Sequence, residues 1–102
     1  MRLALKDGVT FSPSLPMLWA LPWVVQAYEI YTELQTVVVT SGNDGEHRND
    51  SLHYEDDALD FRVWGTDREQ RASILEYLRH MLGDQYDILD EDDHIHIEWD
   101  PK

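Results

Sequence analysis

The 102-residue chain contains no cysteine. Disulfide bonds and thiolate metal sites are therefore excluded, and any transition-metal site has to use histidine, aspartate or glutamate. Long apolar runs are missing too. The most apolar stretch, Leu15 to Val25, is interrupted by Pro16 and Pro22 and is too short to cross a bilayer. We therefore interpret it as part of a core helix and expect no membrane insertion.

The same stretch does not have the pattern of a secretory signal. No small-residue cleavage site follows it, and Asp7 partly offsets the basic residues that precede it. We therefore expect no signal peptide and a chain that is cytoplasmic where it is synthesised.

Basic residues are scarce: eight Lys and Arg stand against 21 Asp and Glu, for a formal net charge of -13. This balance disfavours direct binding to nucleic-acid phosphates. Residues 43–102 hold eighteen of the acidic residues and all five histidines. Two interpretations remain open, a strongly charged solvated surface or an acidic rim around a cation site or a basic ligand.

The length fits one domain, residues 1–102, and no internal repeat or linker is visible. Apolar spacing and turn residues predict helices and strands in alternating groups. This order predicts an α+β domain in which helices pack on a small, mainly antiparallel sheet. The predicted strands are Arg2–Leu5, Thr36–Thr40, Ala58–Trp64, Tyr86–Leu89 and His94–Trp99. The first predicted helical region is introduced by Ser12 to Ser14 and runs to about Leu34, and the second helix runs from about Asp67 to Leu82.

Both helices carry local predictions. In the first, Trp19, Trp23, Ala27 and Ile30 recur at helical spacing and are predicted core residues, while Pro22 predicts a kink or a restart. In the second, a capping box is predicted at the N-terminus and a glycine stop at the C-terminus. The residues concerned are Thr66 and Glu69 for the box, Ile74, Leu75, Leu78, Met81 and Leu82 for the apolar stripe, and Gly83 for the stop.

The last predicted strand has a wholly polar face. Its period of two puts His94, His96 and Glu98 on one side and Ile95 and Ile97 on the other. Such a face suits either a solvated sheet edge or a chemical site.

Asp60 lies within an apolar strand, between Leu59 and Phe61. A carboxylate in that setting is unfavourable unless it is paired or binds a metal. Pairing with Arg62 on the same face is the simpler interpretation. The other is that Asp60 meets His53, seven residues earlier, at a metal. Two histidines and one carboxylate leave a fourth tetrahedral position open, as in catalytic zinc sites.

These segments also match a known pattern, Ser-x-His with Asp seven residues after the His, and later Asp or Glu followed by x-x-His. The matching residues are Thr40-Ser41-Gly42, Ser51-Leu52-His53-Tyr54, Ala58, Asp60, Asp93 and His94-Ile95-His96. In these residues the chain resembles the M15 zinc peptidases, the D-alanyl-D-alanine carboxypeptidases and phage L-alanyl-D-glutamate endolysins of the hedgehog/DD-peptidase fold. The resemblance runs from about Val37 to Trp99.

The resemblance implies a set of roles. His53, Asp60 and His96 would bind one zinc ion. Asp93 would be the general base that takes a proton from the attacking water, and His94 would support the oxyanion or the base. The substrate class that it implies is the peptide stem of bacterial peptidoglycan.

The chain also departs from the family. Asn43-Asp44 stand where members often carry an Arg that binds the substrate, and Asp56 replaces a Gly. Arg48 is a candidate substitute for that Arg, and His47 is a candidate to line the site. Ser51 is a candidate to orient a ligand histidine or contact substrate.

The expected function is a zinc-dependent peptidase that cleaves cell-wall stem peptides as a carboxypeptidase or endolysin. A phage-associated enzyme would fit, acting on the wall from the host cytoplasm or from a virion. Two alternatives stay open: a zinc-bound binding or structural module without catalysis, and a metal-free acidic interaction protein.

Overall fold

Five strands and two helices make up residues 1–42 and 57–101, the part of the chain described by this computed structural model. The strands are β1 (Arg2–Leu5), β2 (Thr36–Ser41), β3 (Ala58–Arg62), β4 (Tyr86–Asp90) and β5 (His94–Trp99). The helices are α1 (Leu15–Tyr31) and α2 (Arg68–Leu82).

The strands form one sheet in the order β1-β2-β3-β5-β4. β1 and β2 are parallel and are connected through α1, whereas the other neighbouring pairs are antiparallel. The predicted α+β class with a mainly antiparallel sheet is confirmed. β5 lies inside the sheet, between β3 and β4, although it is the last strand in the sequence.

The core lies between one face of the sheet and the two helices. Alternate residues of the strands point into it, because successive side chains of a strand project to opposite faces. Both helices contribute to the same cluster, so the opposite face of β3 and β5 carries the remaining, mostly polar residues. The strand residues of the core are Val37, Val39, Leu59, Phe61, Ile88, Ile95 and Ile97.

Only part of the predicted face of helix α1 lies against the core, where Trp23 is partly buried. Trp19 and Ile30 are 54% and 50% exposed, so their assignment to the core is wrong, while that of Ala27 is confirmed. The helix is apolar on almost every side, and its spacing therefore fits several faces equally well. Pro22 lies within this single helix, and no restart occurs there. The buried residues of α1 are Met17, Ala20, Leu21, Val24, Ala27 and Tyr28.

The N-terminus of α2 is capped one residue later than predicted. The Asp67 carboxylate accepts a hydrogen bond from the Gln70 backbone N–H at 2.8 Å, and the Gln70 side chain accepts one from the Asp67 N–H at 2.9 Å. The capping box of Thr66 and Glu69 is therefore wrong. The Thr66 hydroxyl instead donates to the carbonyl oxygen of Val63 at 2.5 Å.

The rest of α2 follows the predicted pattern. Ile74, Leu75, Leu78 and Leu82 are buried, and Gly83 ends the helix with a φ of 82°. Met81 is the exception, at 37% exposed. Among residues 1–42 and 57–101, no helix combines the length and the apolar character that crossing a membrane requires.

Candidate metal and catalytic site

The polar face of β5 lies against β3 in the middle of the sheet. Asp60 is the register partner of His96, and Arg62 is the partner of His94. The predicted alternation is confirmed, because Ile95 and Ile97 are fully buried whereas His94, His96 and Glu98 are half-buried. The interpretation of this strand as a solvated edge is wrong, since β5 has hydrogen-bonded neighbours on both sides.

Asp60 is a buried carboxylate, only 8% exposed. Its Oδ1 atom accepts a hydrogen bond from Nδ1 of His96 at 2.7 Å. The other ring nitrogen of His96, Nε2, lies 2.8 Å from Oε1 of Glu98. The imidazole of His96 is thus held between two carboxylates, one from the neighbouring strand and one from its own.

His94 extends this arrangement. Its Nδ1 atom lies 2.6 Å from Oδ1 of Asp93, and its Nε2 atom lies 3.7 Å from Oδ2 of Asp60. Carboxylates and imidazoles therefore alternate along the sheet face in a continuous row. We call this row the alternating chain; its members are Asp93, His94, Asp60, His96 and Glu98.

Two opposing effects act on the charge of His96. Burial disfavours the imidazolium and would lower its pKa. The hydrogen bonds to Asp60 and Glu98, together with the negative charges of these groups, favour the imidazolium. The pair of carboxylates outweighs burial, and the pKa of His96 lies above its ordinary value.

An acidic group adjoins the far end of the alternating chain. Carboxylate oxygens of Asp87, Glu98 and Asp100 all lie within 4.8 Å of one another. Three carboxylates form an all-oxygen set of the kind that hard cations prefer, unlike the mixed nitrogen and oxygen set predicted for zinc. The acidic group contains neither of the described predicted zinc ligands, Asp60 and His96.

A cleft of about 270 Å³ opens beside the other end of the alternating chain. The guanidinium carbon of Arg62 lies 4.0 Å from the centre of the Trp64 ring, at the cleft wall. The predicted strand over 58–64 ends at Arg62, so Trp64 is outside it and 67% exposed. The described lining residues are Lys6, Thr40, Arg62, Trp64, Asp93 and His94.

The structure brings together four of the predicted site residues: Asp60, Asp93, His94 and His96. The other four lie outside the described residues, namely the predicted ligand His53 and the predicted substrate-binding residues His47, Arg48 and Ser51.

Sequence reasoning missed Lys6, Trp64 and Asp87. Lys6 directly follows β1, and Leu5 is the register partner of Val39 in the parallel strand β2. Lys6 therefore comes level with Thr40, which is still within β2. The sequence does show a basic residue directly after the first strand. It does not show the parallel pairing of β1 with β2 that brings this residue to the cleft.

Comparison of the chain with protein-family models gives no match, and comparison with curated protein sequences gives none either.

Proposed function

We propose that the protein is a zinc-dependent peptidase that hydrolyses a peptide bond in the stem peptides of bacterial cell walls. The observation that carries the proposal is the pairing of Asp60 with His96 across β3 and β5, with His94 and Asp93 directly beside them. The hedgehog/DD-peptidase fold and the action on stem peptides come from the resemblance of the sequence motifs.

The donor chemistry of the described residues fits zinc. Imidazole nitrogen and carboxylate oxygen are usual zinc ligands. A carboxylate as buried as that of Asp60 needs a partner, which is His96 in this structure and would be zinc in the loaded protein. His53, Asp60 and His96 would hold the ion. To bind it, His96 has to give up one of its two carboxylate hydrogen bonds and release a proton.

Each residue then has a distinct role. Bound zinc supplies Lewis acidity, which makes water nucleophilic at neutral pH. Asp93, whose side chain is 81% exposed, accepts the proton of the attacking water and returns it to the leaving amine. His94 donates a hydrogen bond to Asp93 and thereby fixes the orientation of its carboxylate. Glu98 hydrogen-bonds His96 and orients its imidazole ring.

The test compares wild type with Asp93→Asn on purified muropeptides, with zinc content measured on the same samples. We expect the variant to keep zinc and to lose cleavage by at least 100-fold, because amide nitrogen cannot accept the proton. Asp92→Asn is the matched control, since Asp92 lies in the same turn and its φ of 74° is one that Asn tolerates. Wild type that cleaves no stem peptide would refute the proposal.

A second candidate is a zinc-bound binding or structural module without catalysis. The observation that favours it is Asn43-Asp44, where the resembling peptidases often carry a substrate-binding Arg. Under this candidate the wild type binds stoichiometric zinc, and neither it nor the two variants cleave stem peptides.

A further inference from the structure

Lys6 and Arg62 are the two basic residues in the described lining of the cleft beside the alternating chain. Arg71 pairs with Asp90 at 3.4 Å, and Arg79 donates to the carbonyl oxygen of Ile88 at 2.7 Å. Within residues 1–42 and 57–101, by contrast, neither Lys6 nor Arg62 has a hydrogen bond or ion pair at its side chain. The chain carries 21 acidic residues, so two unpaired cations lining one cleft need an explanation.

Arg62 is held in a fixed orientation although its side chain makes no hydrogen bond within the described part of the chain. Its guanidinium packs on the Trp64 ring, and its backbone carbonyl accepts a hydrogen bond from the Tyr28 hydroxyl at 3.0 Å. Its Nε atom is buried without a hydrogen-bond partner in the described part of the chain. An aromatic ring under a guanidinium fixes the plane of its N–H groups and leaves their edge open to an acceptor.

We propose that Lys6, Arg62 and Trp64 form a subsite for a carboxylate group of a peptide ligand. A planar carboxylate matches the fork of a guanidinium, and the Lys6 ammonium adds a second positive charge. Thr40 lines the same cleft, and a threonine hydroxyl can act as a further donor. Asp93 also lines the cleft, so a singly charged carboxylate is favoured over a phosphate dianion, which this carboxylate would repel more strongly.

The position of the subsite connects it with the proposed reaction. His94 and Asp93 form one wall of the cleft, so a carboxylate bound there lies next to the alternating chain. As a determinant of substrate choice, the subsite would select peptides that carry a carboxylate close to the scissile bond, and this part of the inference rests on the proposed function. As a binding site, it stands independently of catalysis.

The experiment titrates the zinc-loaded protein with three peptides while amide and indole resonances are followed by NMR. The peptides are N-acetyl-alanyl-alanine, its C-terminal amide, and N-acetyl-glutamyl-alanine amide. We expect at least one of the two carboxylate peptides to bind about tenfold tighter than the uncharged amide and to shift the Trp64 indole signal. Which of them binds tighter distinguishes a terminal from a side-chain carboxylate.

Substitutions localise the effect. We expect Lys6→Ala and Arg62→Gln each to reduce the affinity for the carboxylate peptide about tenfold, and Lys6→Glu to abolish its preference over the amide. Lys6 is exposed, so its variants test the subsite even if Arg62→Gln fails to fold. Arg68→Gln is the matched control, because Arg68 is exposed and does not line the cleft.

Equal affinities for acid and amide, or equal effects of Lys6→Ala and Arg68→Gln, would overturn the subsite. Inorganic phosphate that displaces the peptide at lower concentration than acetate would overturn its assignment to carboxylates. Selective binding without cleavage of any stem peptide would refute the proposed function and support the subsite. Cleavage of a stem peptide without a preference for carboxylate peptides would support the proposed function and refute the subsite.

Discussion

His96 has the most constrained environment of the described histidines. Both of its ring nitrogens face carboxylate oxygens, so both act as donors when the ring is protonated. In the zinc-free protein the two carboxylates favour the imidazolium form of this half-buried side chain. Under the proposed function, His96 would become a neutral ligand when zinc binds, so zinc affinity should rise with pH.

The contribution of His96 to the stability of the zinc-free protein should fall as the pH rises. The pKa of His96 is higher in the folded protein than in the unfolded chain, so its contribution is fully present below the unfolded value of about 6.5. That contribution is lost as the pH rises through the folded-state pKa. Urea unfolding between about pH 6 and pH 9 measures the loss.

His96→Gln should remove this part of the pH dependence, whereas His80→Gln, on the exposed surface of α2, should keep it. Parallel stability profiles for wild type and His96→Gln would show that His96 does not cause the fall.

At the scale of elements, the N-terminus of α2 depends on a single capping residue. Asp67→Ala removes the side-chain acceptor for the Gln70 N–H and should destabilise the protein by about 1 kcal/mol. Asp67→Asn should retain most of the stability, because Asn is an equally good N-cap. Chemical denaturation of the purified variants measures both.

Glu69→Ala is the control for this prediction. Glu69 lies in the first turn of α2, where its charge interacts favourably with the helix dipole, and its removal should cost less, at about 0.3 kcal/mol for an exposed side chain. A cost for Glu69→Ala that equals the cost for Asp67→Ala would contradict the assignment of the cap.

The elements differ in how far the sequence predicts them. β5 was predictable because isoleucines and polar residues alternate strictly along it, and that alternation also identified its polar face. The buried face of α1 was not predictable, because the helix carries apolar side chains on almost every side. The cap of α2 was placed one residue early, since Thr66 and Asp67 are both suitable N-cap residues.

The candidate site was predictable only in part. Strand periodicity put His94 and His96 on one face, and burial cost marked Asp60 as unusual. Their meeting depends on the register of β3 against β5, which joins residues 36 positions apart. The residues of one strand carry no information on that register, and the resemblance to a known motif supplied it instead. The cleft around Lys6 depends on a second long-range pairing, between β1 and β2, for which no motif was present.

At the scale of the whole molecule, zinc should stabilise the folded state by mass action. A ligand that binds only the folded state, at 100 times its dissociation constant, adds about 2.7 kcal/mol to the free energy of unfolding. We therefore expect zinc to raise the melting temperature and EDTA to reverse the effect. Magnesium prefers oxygen ligands, so any stabilisation that it causes should persist in His96→Gln, whereas the stabilisation by zinc should not.

His53→Ala and His96→Gln should abolish the zinc-dependent rise, and His80→Gln should leave it intact. A melting temperature that zinc and EDTA leave unchanged in the wild type would exclude a zinc site that contributes to folding.

The central position of β3 and β5 has a consequence for how the site fluctuates. Backbone amides in the interior of a sheet exchange with solvent only when the sheet opens cooperatively, whereas edge strands and termini open alone. β1 and β4 are the edges here, so the backbone that carries Asp60 and His96 should hold the most protected amides of the described chain. The spacing between these two side chains then persists through the local openings of the edge strands, and a ligand meets this pair already in place.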